Sequence, residues 1–311
     1  MSGIGIITNP YSKLNKRNPS RSALLGYILG QKGVIETTKS MDHLAEVAVR
    51  FRDQAITILA INGGDGTISR TLTAFINAYG ERPLPKVALL RGGTMNVLAG
   101  HLGIRGQPEN LLYGLLQMQS REDELPVMPL RALVVEGNHG FVYADGSNTL
   151  LLENYYRKKS NVIAAAWLFV KVIVSFLLNK GPLFRSVIQG RTIDFTAVPN
   201  ATVTHSSLGV YASTISNLPL GVPILKGGPN DPERFQAISV TCPAEKLLWY
   251  LPAIMLLNKE GISVGKLKQF CRELVIASTE PGRYTLDGEV ITAQGPELRI
   301  TLGKEIQFIR L

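Results

Sequence analysis

Residues Ile61–Thr67 read INGGDGT and follow the apolar run Ile56-Thr57-Ile58-Leu59-Ala60. Such a run reads as a buried strand, and it empties into a turn of three glycines, an aspartate and a threonine. Gly63, Gly64 and Gly66 let backbone N–H groups come close to a ligand. A helix N-terminus after the turn adds donors suited to phosphate oxygens. The Thr67 amide and hydroxyl can each donate to such an oxygen. Asp65 places a carboxylate inside this anion site, which calls for a cation or a hydroxyl network beside the phosphates.

Two further turns share the theme. Asn9-Pro10-Tyr11-Ser12 follows the first strand-like run, and Gly92-Gly93-Thr94-Met95-Asn96 follows the fourth. In an open parallel sheet the loops at the carboxyl ends of the strands meet in one crevice. Ser12, Asp65, Thr67, Thr94 and Asn96 are therefore expected on one edge. Taken singly each could serve as a helix N-cap, Ser12 and Thr94 foremost; taken together they describe a nucleotide cradle. Neither a Walker A sequence nor a G-x-G-x-x-G after a strand occurs, so the cradle is not one of the two best-known phosphate loops. Far downstream, Asp287-Gly288 lies between Tyr284-Thr285-Leu286 and Glu289-Val290-Ile291, a two-residue hairpin signal. The carboxylates of Asp287 and Glu289 stand two residues apart and would face one side of an extended chain.

The elements that must position these residues fall into two grammars. Up to residue 118 the chain alternates strand-like and helix-like patterns, as a doubly wound parallel sheet requires. Strands are expected at Ile4–Thr8, Val34–Thr38, Ile56–Ile61 and Lys86–Leu90. Helices are expected at Ser20–Leu29, Asp42–Phe51, from Ile68 to Tyr79, and Glu109–Met118. The polar stretch Ser120–Glu124, just before Pro126, ends this pattern. Short β-branched runs follow at Leu130–Val135, Gly140–Tyr143, Ser186–Ile188, Thr192–Ala197, Ala201–Thr204, Gly209–Ala212, Ala237–Thr241, Leu274–Ala277, Arg283–Leu286, Val290–Thr292, Leu298–Leu302 and Ile306–Ile309. That spacing predicts an antiparallel β-sandwich. The expected domains are an α/β nucleotide-binding domain over 1–125 and a β-sandwich acceptor domain over 126–311, with the extreme C-terminus able to return to the first.

Net charge is +9, from 33 Lys+Arg against 24 Asp+Glu, so anionic partners are favoured. Basic residues are dense over 157–191 (Arg157, Lys158, Lys159, Lys171, Lys180, Arg185, Arg191). The apolar stretches Val162–Leu178 and Leu247–Leu257 hold 17 and 11 residues. A membrane span needs about 20, so neither reads as a span, and the first reads as a packed helix with a bilayer-surface alternative. Cys242 and Cys271 have no C-x-x-C or zinc spacing, and the four histidines form no metal-ligand pattern. Without a signal-peptide pattern at the start, the expectation is a cytoplasmic protein with peripheral membrane association.

The motifs NPYS (Asn9–Ser12), GGDGT (Gly63–Thr67), GGTMNVLA (Gly92–Ala99) and DGE (Asp287–Glu289) stand in the order and approximate spacing of one family. The sequence resembles the diacylglycerol kinase catalytic-domain family of lipid kinases, whose wider superfamily includes NAD kinases. The resemblance implies ATP in the α/β domain, the lipid acceptor on the β-sandwich, and the active site in the cleft. It implies that Asn9, Pro10, Ser12, Thr37, Gly63, Gly64, Asp65, Gly66, Thr67, Gly93, Thr94 and Asn96 bind the nucleotide. Mg²⁺ would be held by Asp65 and Asp287, and Glu289 would accept the proton of the attacking hydroxyl. Expected partners are ATP, a lipid acceptor and an anionic membrane surface, with no nucleic acid and with room for a homodimer. The resemblance is broken in places. Lys13 stands where a glycine usually follows the serine. Gly227–Phe235 lacks the acidic pattern of a structural metal site, and Tyr143–Asn148 departs from the glycine-rich acceptor segment. A kinase of NAD or another soluble acceptor, and a non-catalytic nucleotide- or lipid-sensing relative, remain the alternatives.

Overall fold

The computed structural model describes residues 3–121, 124–146, 149, 190–216, 231–241, 266–279 and 282–311. The apolar stretches 162–178 and 247–257, the strand expected at 186–188, and the basic stretch apart from Arg191 lie outside the described residues. The chain divides into two compact units. One holds Met1–Ala132, Gly137–His139 and Gly303–Leu311; the other holds Leu133–Glu136 and Gly140–Leu302.

The elements of the first unit begin with β1 (Ile4–Thr8), α1 (Lys13–Arg17), α2 (Arg21–Leu29), β2 (Gly33–Thr37), α3 (Met41–Asp53) and β3 (Ile58–Asn62). They continue with α4 (Asp65–Tyr79), β4 (Lys86–Leu89), α5 (Val97–His101) and α6 (Pro108–Ser120). The strands run parallel in the order β2-β1-β3-β4. All five residues of β1 and of β3 are buried, which is why both read as unbroken apolar runs: helices cover both faces. Right-handed crossovers carry the chain from β1 outward to β2 in one direction and from β3 to β4 in the other. Helix α2 therefore lies on the face opposite α3 and α4. The helix pairs that pack together, α3 with α4 and α2 with α6, agree. The direction reverses between β1 and β3, so the crevice of this sheet opens at their carboxyl ends. Register fixes the level: Thr8 lies beside both Thr37 and Asn62.

Local rules account for the helices. Ser40 Oγ accepts from His43 N at 3.1 Å to cap α3, whose buried stripe is Leu44, Val47, Ala48 and Phe51. Phe51 meets Phe75 of α4 edge-on, with centroids 6.1 Å apart. Helix α4 starts at Asp65, a turn earlier than the apolar period indicates, because Gly64 adopts an extended N-cap conformation and its carbonyl accepts Ile68 N at 3.0 Å. Among the described residues no helix is long and apolar enough to cross a membrane.

The remaining strands are β5 (Val127–Val135), β6 (Asn138–Gly140), β7 (Val142–Asp145), β8 (Arg191–Val198), β9 (Val203–Ser207), β10 (Gly209–Ser213) and β11 (Phe235–Val240). After them come β12 (Lys266–Cys271), β13 (Glu273–Ala277), β14 (Arg283–Leu286), β15 (Glu289–Thr292) and β16 (Glu297–Ile309). In the second unit, β8 and β16 flank β13 antiparallel, and β9 pairs with β8. A separate antiparallel sheet runs β12-β11-β10-β7-β14-β15. Inward residues of the two sheets share one core, Phe195, Leu274 and Ile300 from the first with Val210, Phe235 and Tyr284 from the second. The architecture is thus a parallel α/β unit plus a separate antiparallel unit, as the sequence patterns predict.

Further details differ from the sequence reading. The run Gly140–Tyr143 breaks at Phe141, because the Phe141 and Val142 amides turn to the Asp287 carboxylate. The runs 298–302 and 306–309 join into the single strand β16, whose Phe308 pairs with Val87 of β4 in the first unit. Strand β12, KLKQFC, carries too little apolar alternation to stand out.

Candidate active site

The three turns of the first unit meet at the carboxyl ends of its strands, held by specific hydrogen bonds. Asn9 Nδ2 donates to Thr67 Oγ1 at 2.8 Å, tying the first turn to the second. Leu14 N donates to Gly92 O at 3.3 Å, tying the first to the third. Leu98 N donates to Asp65 Oδ1 at 3.3 Å, tying the third to the second. The glycines permit this crossing. A Cβ on Gly93 would stand 2.4 Å from Gly64 Cα, and one on Gly92 would stand 2.8 Å from Gly63 N. A Cβ on Gly63 would meet Thr67 Cβ at 2.4 Å. Backbone passes over backbone here, and side chains have no room.

Within the turns each residue has a local task. Asn9 Oδ1 accepts Tyr11 N at 2.9 Å, and Ser12 Oγ donates to Asn9 O at 3.0 Å. Ser12 precedes α1 as its N-cap residue yet makes no side-chain cap. Asn96, left-handed at φ 47°, is the N-cap residue of α5, the place at which Thr94 had been a candidate. Its amide donates to Gly93 O at 2.9 Å and its Oδ1 accepts Gly93 N at 3.2 Å. Thr94 and Met95 are exposed, while Pro10 is half-buried. Thr37 ends β2 beside Thr8, its hydroxyl 3.1 Å from that of Ser22. The amides of Asp65, Gly66 and Thr67 lie in the first turn of α4, where a helix has no carbonyl of its own to offer them.

Burial holds the Asp65 carboxyl above its ordinary pKa range, opposed by the Leu98 and Val97 amides. A divalent ion beside this carboxyl would favour its charged form. No cluster of three acidic, His or Cys side chains stands ready among the described residues. An ion here would draw most of its ligands from phosphate and water oxygens around Asp65, the usual habit of Mg²⁺.

In the second unit the Asp287-Gly288 pair forms the tight turn between β14 and β15, with φ of 49° and 83°. Asp287 Oδ1 accepts Phe141 N at 3.0 Å and Val142 N at 2.9 Å, and Asp287 N donates to Val142 O at 2.9 Å. The carboxylate thus anchors the hairpin to the start of β7. Glu289, half-buried, opens β15. Asp145, expected only as part of a poorly matching segment, is a buried carboxyl group: it takes Tyr143 Oη at 2.9 Å, Val210 N at 2.7 Å and a contact with the Arg191 guanidinium. Of Gly227–Phe235 only residues 231–235 are described, and there Asp231 pairs with Arg234 at 3.2 Å.

Two residues that motif reading passed over complete the first unit's crevice. Asn15 and Asn62 are buried beneath the turns and bond to each other. The signal was an asparagine closing an otherwise apolar strand immediately before Gly63.

Residues 4–126 match the family model of the diacylglycerol kinase catalytic domain. A search among curated proteins gives no match. Among solved structures, three from Bacillus anthracis str. Sterne are similar along the whole chain, each comparison covering 100% of this chain and 97% of the other. One is described as a diacylglycerol kinase, with 14% identity and a TM-score of 0.65. Two are described as candidate diacylglycerol kinases, with 15% and 16% identity and TM-scores of 0.71 and 0.69. At such identity the likeness establishes the fold. Over residues 4–126, then, the chain is similar to the diacylglycerol kinase catalytic domain.

Proposed function

We propose that the chain transfers the γ-phosphoryl group of ATP to a lipid hydroxyl of the diacylglycerol or sphingoid kind. The observation that carries this reading is the meeting of three turns at the first turn of α4, inside the segment that matches the catalytic-domain family. Phosphoryl transfer needs chiefly positioning and charge neutralisation. The amides of Asp65, Gly66 and Thr67 would hold phosphate oxygens, with Thr94 and Asn96 from the third turn and Asn9 and Ser12 from the first. Thr37 would border the nucleotide. Asp65 would hold Mg²⁺ through phosphate and water oxygens; when bound, the ion supplies charge neutralisation on the phosphates. Glu289 would accept the proton of the attacking hydroxyl. Asp287 would keep the Glu289 hairpin in place. An anionic membrane surface would suit the basic composition, each nearby Lys or Arg adding about 1 kcal/mol.

A non-catalytic sensing relative is the second reading, favoured by the Asp287 carboxylate being engaged with two backbone amides. Labelled ATP with mixed micelles of diacylglycerol, sphingoid base and whole-cell lipid extract separates the two. Transfer to lipid supports the kinase. ATP binding with zero turnover over a broad acceptor set supports the sensor, and phosphate on NAD with none on lipid supports a soluble-acceptor kinase.

A further inference from the structure

Beneath the crossing of the turns lies a closed set of amide side chains. Asn62, fully buried at the end of β3, directs its Nδ2 to Thr8 Oγ1 at 2.7 Å and to Asn15 Oδ1 at 3.3 Å. Asn15, buried in α1, directs its Nδ2 to Asn9 O at 2.8 Å and to Asn62 O at 3.2 Å. Asn62 O also accepts Asn9 N at 3.1 Å. Asn9 then reaches Thr67 through its own amide. The Asn62 Oδ1 atom faces the underside of Gly92 and accepts no hydrogen bond among the described residues.

Apolar side chains would fill this space at lower desolvation cost, since a partly satisfied buried polar group works against folding. The amides therefore serve something other than packing. Their geometry supplies it: two backbone carbonyls, at 9 and 62, sit on the two sides of the direction switch in the sheet, and Asn15 spans both with one NH₂ group. The span fixes how far the Asn9 turn stands from the Gly63–Thr67 turn. The chain enters α1 at Lys13, directly after the first turn, which delivers Asn15 to this position.

We infer that Asn15, acting through Asn9 and Asn62, is a positioning residue that sets the separation of the first and second phosphate turns and thereby the affinity for ATP. The inference rests on the kinase reading above. Loss of Asn15 should weaken nucleotide binding and leave the chemical step intact.

The test is titration calorimetry with Mg·ATP on the full chain, beside steady-state kinetics with the best lipid acceptor. Wild type, Asn15→Ala, Asn15→Asp and the core control Leu25→Ala are compared. Asn15→Asp retains the acceptor but removes both donors. The expected result is an affinity about tenfold weaker, and a KM for ATP about tenfold higher, in both Asn15 variants, with kcat within about twofold. Leu25→Ala, a fully buried side chain in α2, should lower the thermal midpoint with affinity unchanged. If wild type fails to bind Mg·ATP, the kinase reading falls and the inference with it. If wild type binds and both Asn15 variants bind as well as wild type, the inference alone is overturned. A kcat that falls as far as the affinity also overturns it. Should Asn15→Ala not fold, Asn15→Ser, which keeps one donor, is judged by the same criteria.

Discussion

Asp65 is a carboxylate whose surroundings disfavour its charge. Burial lifts its pKa, and the amides of α5 only partly compensate. The consequence has a definite sign. A carboxyl raised above its unfolded value adds stability that is complete below the unfolded pKa and is lost as pH rises through the folded one. Asp65→Asn should therefore be at least as stable as wild type at pH 8, with the advantage shrinking toward pH 4, as thermal unfolding at the two pH values would show. The same change should lower phosphoryl transfer by roughly 10²–10³-fold, the scale of removing one electrostatic stabiliser. A variant that loses more stability at pH 8 than at pH 4 would contradict the assignment of burial as the cause. Gly93 is constrained sterically: Gly93→Ala drives a Cβ into Gly64 Cα and Asn96 Oδ1. It should cost about 1–3 kcal/mol in chemical denaturation and abolish nucleotide binding. The sequence displays these residues because glycine, aspartate and threonine in one turn have few other uses. Asn15 escapes notice because α1 is five residues long and has no hydrophobic period to mark its inward face.

At the scale of elements, the strands β1 and β3 were legible as apolar runs, and the helices α3 and α6 as periodic ones, because burial on two faces or on one stripe leaves a direct trace in residue type. What sequence cannot show is where a hydrogen bond overrides a pattern. The Asp287 carboxylate interrupts one β run by drawing two amides out of the ladder. That makes the DGE hairpin separable into two functions. Asp287→Ala should destabilise the second unit by about 1–3 kcal/mol, since buried amides lose their acceptor. Glu289→Gln should reduce turnover and lower the unfolding midpoint less than Asp287→Ala does. Equal thermal losses in the two variants would argue against this division of labour. Helix α6 offers an opposite test. A Cβ on Gly114 meets nothing within 4 Å, so Gly114→Ala should raise stability by about 0.5–1 kcal/mol with activity unchanged.

For the molecule as a whole, chain order and unit membership differ. Residues 303–311 belong with the first unit although residues 140–302, all of the second, directly precede them. Ile306, Phe308 and Ile309 are fully buried, and each such side chain contributes about 1.5–3 kcal/mol through burial. Truncation after Leu302 should thus unfold the first unit, seen as rapid proteolysis within 1–121. Survival of that region would contradict the division. A local reading of the sequence assigns strands to this tail but not their partners, since long-range pairing has no signature in residue type. The central claim, however, concerns chemistry and is tested by one assay. Full-length chain is incubated with γ-labelled ATP, Mg²⁺ and micellar lipid, beside its Asp65→Asn and Glu289→Gln variants, with mass spectrometry of the product. The account predicts label on a lipid hydroxyl for the wild type and its near-complete loss in both variants. Label on NAD alone, or lipid labelling that persists undiminished in folded Asp65→Asn, would contradict it.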